Sequence, residues 1–319
     1  MNMNKMVYFD SDDIEKAAPY DKWVGTMEDA LLTSVSGGYL MPKRMHLDKG
    51  NDTFLLMPCV TDKYWATKLV SFCPGNRNSG LPSIYGTVIL NSSVTGEPLA
   101  VMDGSKITAM RTAAVSSAGI KILSPEGCKS LGIIGAGVQG VSQAVFACSV
   151  RKIVEIRVFD KSMHNIRLFS DELHKRYPEI RIIEARDSGE VALNSEIIIT
   201  ATNSQSPVFP DEKQLFTDKT FVGIGSYKPD CREFPEQLFR QLDEIFVDAE
   251  DGKKESGDLI TPVMSKWIKE DKIFHIGKVI STAMVPSENN TRLFKTVGSA
   301  IFDLYAAKLI YESYLKKNA

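Results

Sequence analysis

The chain has 319 residues, 43% of them apolar, which is enough for two domains with sizeable cores. Its 38 basic and 40 acidic residues leave a net charge of −2, so no basic surplus points to a nucleic-acid or membrane partner. Five cysteines without C-x-x-C spacing and four scattered histidines indicate reduced thiols in a cytoplasmic protein, not a disulfide framework or a metal site.

Met1 to Tyr20 is polar and lacks the apolar segment of a signal peptide, and no later apolar run is long enough to cross a bilayer. Phe54-Leu-Leu-Met57, Ala66-Thr-Lys-Leu-Val70, Gly86-Thr-Val-Ile-Leu90 and Leu99-Ala-Val-Met102 read as strands. The turn residues Gly75, Gly80, Pro82 and Gly96 separate them, which predicts an antiparallel-rich α+β domain over the first 115 residues. Three cations stand out around these elements. Arg44 follows Met41-Pro42-Lys43, Lys68 lies inside a strand, and Arg111 lies on a helix read from Ile107 to Leu123. A cation in an apolar element is costly unless it is paired, so each marks either a structural ion pair or an anion site. Arginine offers a planar fork for a carboxylate, and a buried lysine can serve as a proton donor. Together they suggest a small carboxylate substrate.

The helix 107–123 is rich in small residues and leads into Leu131-Gly-Ile-Ile134, a short apolar strand. Gly135-Ala-Gly137-Val-Gln-Gly140 follows, then a helix over Val141 to Val150, then the strand Ile156-Arg-Val-Phe159 with Asp160 at its end. Strand, G-x-G-x-x-G, helix and an acidic residue twenty positions on form a dinucleotide fingerprint. Gly135 permits the turn, Gly137 lets the backbone approach a pyrophosphate, and Gly140 lets helix and strand pack. Asp160 should accept hydrogen bonds from ribose hydroxyls, which favours NAD(H). The adjacent Lys161 keeps NADP(H) open as the alternative. Ser162 is placed to cap a helix over Met163 to Lys175. Further strands are expected at Ile180–Ile183, Glu196–Ile199, Phe221–Ile224 and Glu244–Val247, giving six in all. The last segment, Thr291 to Lys316, has helical periodicity from Phe294 to Tyr314 and is expected to return to the first domain.

Several stretches carry a resemblance that covers nearly the whole chain. They are Leu99 to Ser117, Gly135 to Gly140, Ser226-Tyr-Lys-Pro-Asp-Cys-Arg-Glu233, Glu255-Ser-Gly-Asp258 and Asp303 to Tyr311. In these the chain resembles the ornithine cyclodeaminase/mu-crystallin family, most closely its mu-crystallin branch. The resemblance implies an α/β fold with a Rossmann-type doubly wound parallel sheet over residues 116–290. An α+β substrate-binding and dimerisation domain would comprise residues 1–115 and 291–319, in a homodimer. It further implies that Arg44, Lys68 and Arg111 surround the substrate carboxylate, with Lys68 and Arg111 catalytic. Ser83, Arg111 and Thr112 would lie at the coenzyme phosphates, and Val138 and Gln139 in the glycine loop. Thr202, Gly225 and Val297 would line the nicotinamide, while Glu255 would face the substrate nitrogen.

Two departures bear on activity. Cyclodeaminases carry carboxylates where this chain has Leu55 and Tyr227. Loss of ammonia from a diamino acid needs a base near the amine, so cyclodeamination is disfavoured. The branch resembled reduces cyclic ketimines, which implies NAD(P)H-dependent reduction of Δ1-pyrroline-2-carboxylate or Δ1-piperideine-2-carboxylate, with Tyr227 as a pocket residue. The alternatives are an amino-acid dehydrogenase of the alanine dehydrogenase type, reduction of a larger imino acid, an ornithine cyclodeaminase, and a non-enzymatic dinucleotide-dependent binding protein.

Overall fold

The computed structural model describes residues 6–226 and 228–319, which fall into two compact units. One comprises the residues through Arg111 together with Ser299–Ala319, and the other comprises Thr112–Gly298.

The first unit is built on a seven-stranded sheet. Its strands are β1 (Val7–Phe9), β2 (Tyr39–Leu40), β3 (Met45–Lys49), β4 (Asp52–Thr61), β5 (Tyr64–Phe72), β6 (Ile84–Ser92) and β7 (Pro98–Asp103). The order is β1-β7-β6-β5-β4-β2, with β3 also paired to β4; only β1 and β7 run parallel. Side chains alternate across the strands, so register separates two faces. The row Met57, Lys68, Val88 and Met102 is buried, as is the row Cys59, Ala66, Leu90 and Ala100. The helix Ala300–Lys317 packs on this face and also against the helix Tyr20–Ser36. The Thr33 and Tyr305 hydroxyls meet at 2.6 Å between these two helices. The opposite face carries the rows Met45, Leu56, Leu69 and Leu47, Phe54, Ser71, and here Met45, Leu47 and Leu69 are exposed.

The second unit has eight parallel strands, two more than the six expected. They are β8 (Ser130–Ile134), β9 (Glu155–Phe159), β10 (Arg181–Glu184), β11 (Ile197–Thr200), β12 (Thr220–Gly223), β13 (Ile245–Val247), β14 (Ile273–His275) and β15 (Arg292–Lys295). The order β10-β9-β8-β11-β12-β15-β13-β14 reverses direction at β8 and β11, the crevice where doubly wound sheets bind ligands. Most of these strands are buried along their length, which accounts for their unbroken Ile, Val and Phe runs.

The C-terminal segment departs from its expected form. Helix does not begin at Thr291: Arg292–Lys295 is a strand inserted between β12 and β13, and the helix starts at Ala300. The eight-stranded sheet is thus completed by chain well beyond Glu244–Val247, the last strand expected. The apolar pair Leu293-Phe294 between charged Arg292 and Lys295 is too short a run to outweigh the helical periodicity that follows. The helix Gly104–Leu123 lies close to β15, because a Cβ on Gly119 would sit 2.3 Å from the Phe294 ring. Its C-terminus is closed by buried Arg151, whose Nη2 donates to the carbonyls of Ile120, Lys121 and Ser124 at 2.7–3.1 Å.

Candidate active site

In the second unit, β8 ends at Ile134 and the chain turns at Gly135, whose φ of +97° lies in the region that glycine adopts without strain. Gly137 is the N-cap of the helix Val138–Val150 and has no side-chain cap, so the first-turn N–H groups face outward for an anion. A Cβ on Gly140 would lie 2.0 Å from the Gly135 carbonyl oxygen, so glycine is needed for helix and turn to approach. A Cβ on Gly137 would meet nothing within 4 Å, which leaves that position open for a ligand. Asp160 follows β9. Its Oδ2 accepts the Ala136 N–H at 2.8 Å, and its Oδ1 accepts the Ser162 N–H at 2.8 Å and Asn165 Nδ2 at 3.3 Å. These donors fix the carboxylate at the rim of a cleft of about 600 Å³. Gly135, Gly137, Gln139, Asp160, Lys161, Thr202 and Gly225 all line that cleft, and the donor and acceptor set suits a dinucleotide. Val138 is exposed at the start of the helix, and Thr112 and Val297 belong to the same unit but not to the cleft wall.

Three buried carboxylates with no role assigned from the sequence shape this unit. Glu233 Oε1 accepts the Thr202 N–H at 2.9 Å and its hydroxyl at 2.8 Å. Its Oε2 accepts Thr200 Oγ1 at 2.9 Å and the Gly225 N–H at 2.7 Å. One side chain therefore ties the ends of β11 and β12 where Thr202 and Gly225 enter the cleft. Asp258 accepts the Glu233 and Phe234 N–H groups through Oδ1 and faces Lys295 Nζ at 3.4 Å through Oδ2. Burial pushes Asp258 up to about 6; Lys295 opposes this and Glu233 adds to it. Asp248 accepts the N–H groups of Val297 and Gly298 at 3.0 and 2.9 Å, which fixes the turn after β15. Glu255 is half-buried at the end of the short helix Gly252–Glu255. Tyr227 lies outside the described residues.

In the first unit, Lys68 projects from the buried face of β5 and Arg111 from the helix Gly104–Leu123. Both meet Asp303 of the C-terminal helix. Lys68 Nζ lies 2.8 Å from Oδ2 and donates to Oδ1 at 3.0 Å, while Arg111 Nε donates to Oδ1 at 3.2 Å. All three side chains are at most 7% exposed. Burial pushes the Lys68 ammonium down to about 8; Arg111 and Arg44 push the same way, and Asp303 opposes them. Arg44, half-buried in the stretch between β2 and β3, therefore lies close enough for its charge to reach Lys68. Ser83 stands half-buried just before β6. The structure thus brings Lys68 and Arg111 onto one carboxylate, with the charge of Arg44 felt at Lys68. It adds Asp303, which the sequence hid inside the apolar run Ile301-Phe302-Asp303-Leu304.

A sequence model of the ornithine cyclodeaminase/mu-crystallin family matches residues 3–318. The chain is 31% identical over 288 residues to a Δ1-pyrroline-2-carboxylate reductase of Bacillus cereus, covering 87% of each. It is 32% identical over 283 residues to the ketimine reductase mu-crystallin of Mus musculus, covering 87% of this chain and 86% of that one. Its fold superposes with a TM-score of 0.91 on Thermococcus litoralis Δ1-pyrroline-2-carboxylate reductase in complex with NADH and L-proline. That match has 33% identity and covers 98% of this chain and 99% of the other. The chain belongs to the ornithine cyclodeaminase/mu-crystallin family.

Proposed function

We propose that this member of the family is an NAD(P)H-dependent ketimine reductase. It converts Δ1-pyrroline-2-carboxylate to proline or Δ1-piperideine-2-carboxylate to pipecolate. The observation that carries the reading is the buried cluster in which two cations, Lys68 and Arg111, share one carboxylate, Asp303. A surplus positive charge out of water is costly unless an anion joins it, so the cluster is suited to receive a substrate carboxylate. Arg111 and Arg44 grip that carboxylate. Charge-assisted bonds of this kind are strong and set the orientation that hydride transfer needs.

When bound, the reduced nicotinamide supplies a hydride, an electron pair with its proton, to the C=N carbon. Lys68 gives a proton from Nζ to the imine nitrogen, so the double bond becomes CH–NH. Lys68 regains its proton from water. The first-turn N–H groups after Gly137 hold the pyrophosphate. Gly135, Val138 and Gln139 form its turn, with Ser83, Arg111 and Thr112 adding contacts to the phosphates. Asp160 accepts from the ribose hydroxyls, which favours NADH, and Lys161 beside it admits NADPH. Thr202, Gly225 and Val297 shape the nicotinamide side. Glu255 stabilises the iminium charge, and Tyr227 bounds the substrate.

The functional form is a homodimer, in which a second copy covers the exposed apolar rows of β3, β4 and β5. Five free thiols suit the reducing cytoplasm. Following NADH and NADPH absorbance with the two cyclic imino acids, and with pyruvate plus ammonia, tests the reading. Turnover of a cyclic imino acid is expected. Turnover of pyruvate plus ammonia alone would replace the reading with an alanine dehydrogenase activity.

A further inference from the structure

We infer that Asp303 is a positioning residue for the reduction: it anchors Lys68 and Arg111 to one carboxylate and keeps Lys68 charged, able to donate its proton. The inference rests on the ketimine reductase reading. It is carried by the three ion-pair distances of 2.8, 3.0 and 3.2 Å and by the burial of all three side chains.

The surroundings of Lys68 explain why Asp303 is decisive. On β5, the neighbouring rows place Met57 and Val88 beside Lys68, and neither can compensate a charge. From the helix Gly104–Leu123 come Arg111, a second cation, and Thr108, whose Oγ1 lies 3.5 Å from Nζ. From the stretch between β2 and β3 comes the charge of Arg44. From β4 comes Cys59, whose thiol is pushed up to about 12 by burial and by Asp303, so it stays neutral. The C-terminal helix contributes Asp303, the leading negative charge that holds the proton on Lys68. With that charge removed, a dehydrated ammonium would stand among like charges and would give up its proton to water. Asp303 also fixes direction. Lys68 engages both carboxylate oxygens and Arg111 shares Oδ1, so the two cations are held at a set spacing on the substrate side of β5.

A purely structural ion pair would fasten the C-terminal helix to the sheet without affecting the proton inventory of the reaction. The two roles separate in Asp303→Asn, which keeps shape and removes charge. The pH profile of kcat/KM with Δ1-pyrroline-2-carboxylate and NADH should move its alkaline limb down by about one to three units. Above the wild-type limb the variant should then have lost roughly tenfold per unit of that shift, with activity recovering on the acid side. Asp303→Glu retains the charge and should leave the limb in place while lowering kcat. NADH binding and the melting curve show that each variant is folded. If Asp303→Asn does not fold, the smaller neutral replacement Asp303→Ser takes its place: a limb shifted toward acid supports the inference, and an unmoved limb overturns it.

A uniform loss at every pH in Asp303→Asn, with the limb unmoved, would overturn the inference. The 13Cε resonance of Lys68, assigned by its loss in Lys68→Arg, follows the same charge without turnover. It should titrate at lower pH in Asp303→Asn than in the wild-type protein. That readout keeps the inference testable even if the wild-type enzyme reduces no cyclic imino acid, a result that would sink the ketimine reading alone.

Discussion

Lys68, Arg111 and Asp303 share one imbalance, two buried positive charges against one negative, and the proposed reduction draws on it. Because Lys68 must carry its proton to donate it, kcat/KM should fall as pH rises through about 8, where its ammonium titrates. Above that point the fall should approach about tenfold per unit. Lys68→Ala should lower kcat by roughly a hundredfold or more while KM changes less, the signature of a proton donor. Unchanged kcat in steady-state assays would remove Lys68 from the reaction. Arg44→Ala should raise KM by about ten- to a hundredfold, the worth of one charged hydrogen bond, with little change in kcat. Lys68 and Arg111 were legible in the sequence because a cation inside an apolar strand or helix needs a reason. Asp303 was not, since one acidic residue among Ile301, Phe302 and Leu304 reads as a gap in a helical stripe. Glu233 was equally hidden: a loop residue shows nothing of the four hydrogen bonds that close over it in the fold.

At the scale of elements, the glycine turn separates packing from ligand binding. Gly140→Ala places a methyl group 2.0 Å from a backbone oxygen, and should lower stability by about 1–3 kcal/mol as well as weaken NADH binding. Gly137→Ala meets open space, so its melting temperature should match the wild type while NADH binding weakens. Equal NADH affinity in Gly137→Ala, measured by fluorescence titration, would remove the pyrophosphate from that turn. Arg151→Ala removes a donor from three carbonyls at the end of the helix Gly104–Leu123, of which that of Ile120 keeps the Ser124 N–H and hydroxyl. It should cost about 1–3 kcal/mol in denaturant unfolding, the scale of one buried unsatisfied carbonyl. The fingerprint was readable from sequence because its glycines, strand and acid lie within one short stretch. β14 and β15 were not. Three or four residues such as Arg292-Leu-Phe-Lys295 carry too little periodicity, and their place in the sheet depends on partners distant in the chain.

At the scale of the whole molecule, register leaves apolar rows on the outer face of the first sheet, where Met45, Leu47 and Leu69 are exposed. Replacing Met45 and Leu69 together with Glu should convert a dimer to a monomer in analytical ultracentrifugation without unfolding it. A wild-type protein that sediments as a monomer would contradict that assignment. No helix among the described residues is long and apolar enough to cross a membrane. The division into two units could be read in outline from the change from antiparallel-rich to alternating strand–helix patterns. The chain's return to the nucleotide-binding sheet at β15 could not. The central claim, that the cationic cluster grips a substrate carboxylate, is tested most directly by comparing Δ1-pyrroline-2-carboxylate with Δ1-pyrroline, the same ring without the acid group. With NADH, kcat/KM should favour the carboxylate by roughly a hundredfold or more, the scale of a desolvated charge pair losing one partner. Equal kcat/KM for the two imines would contradict the account.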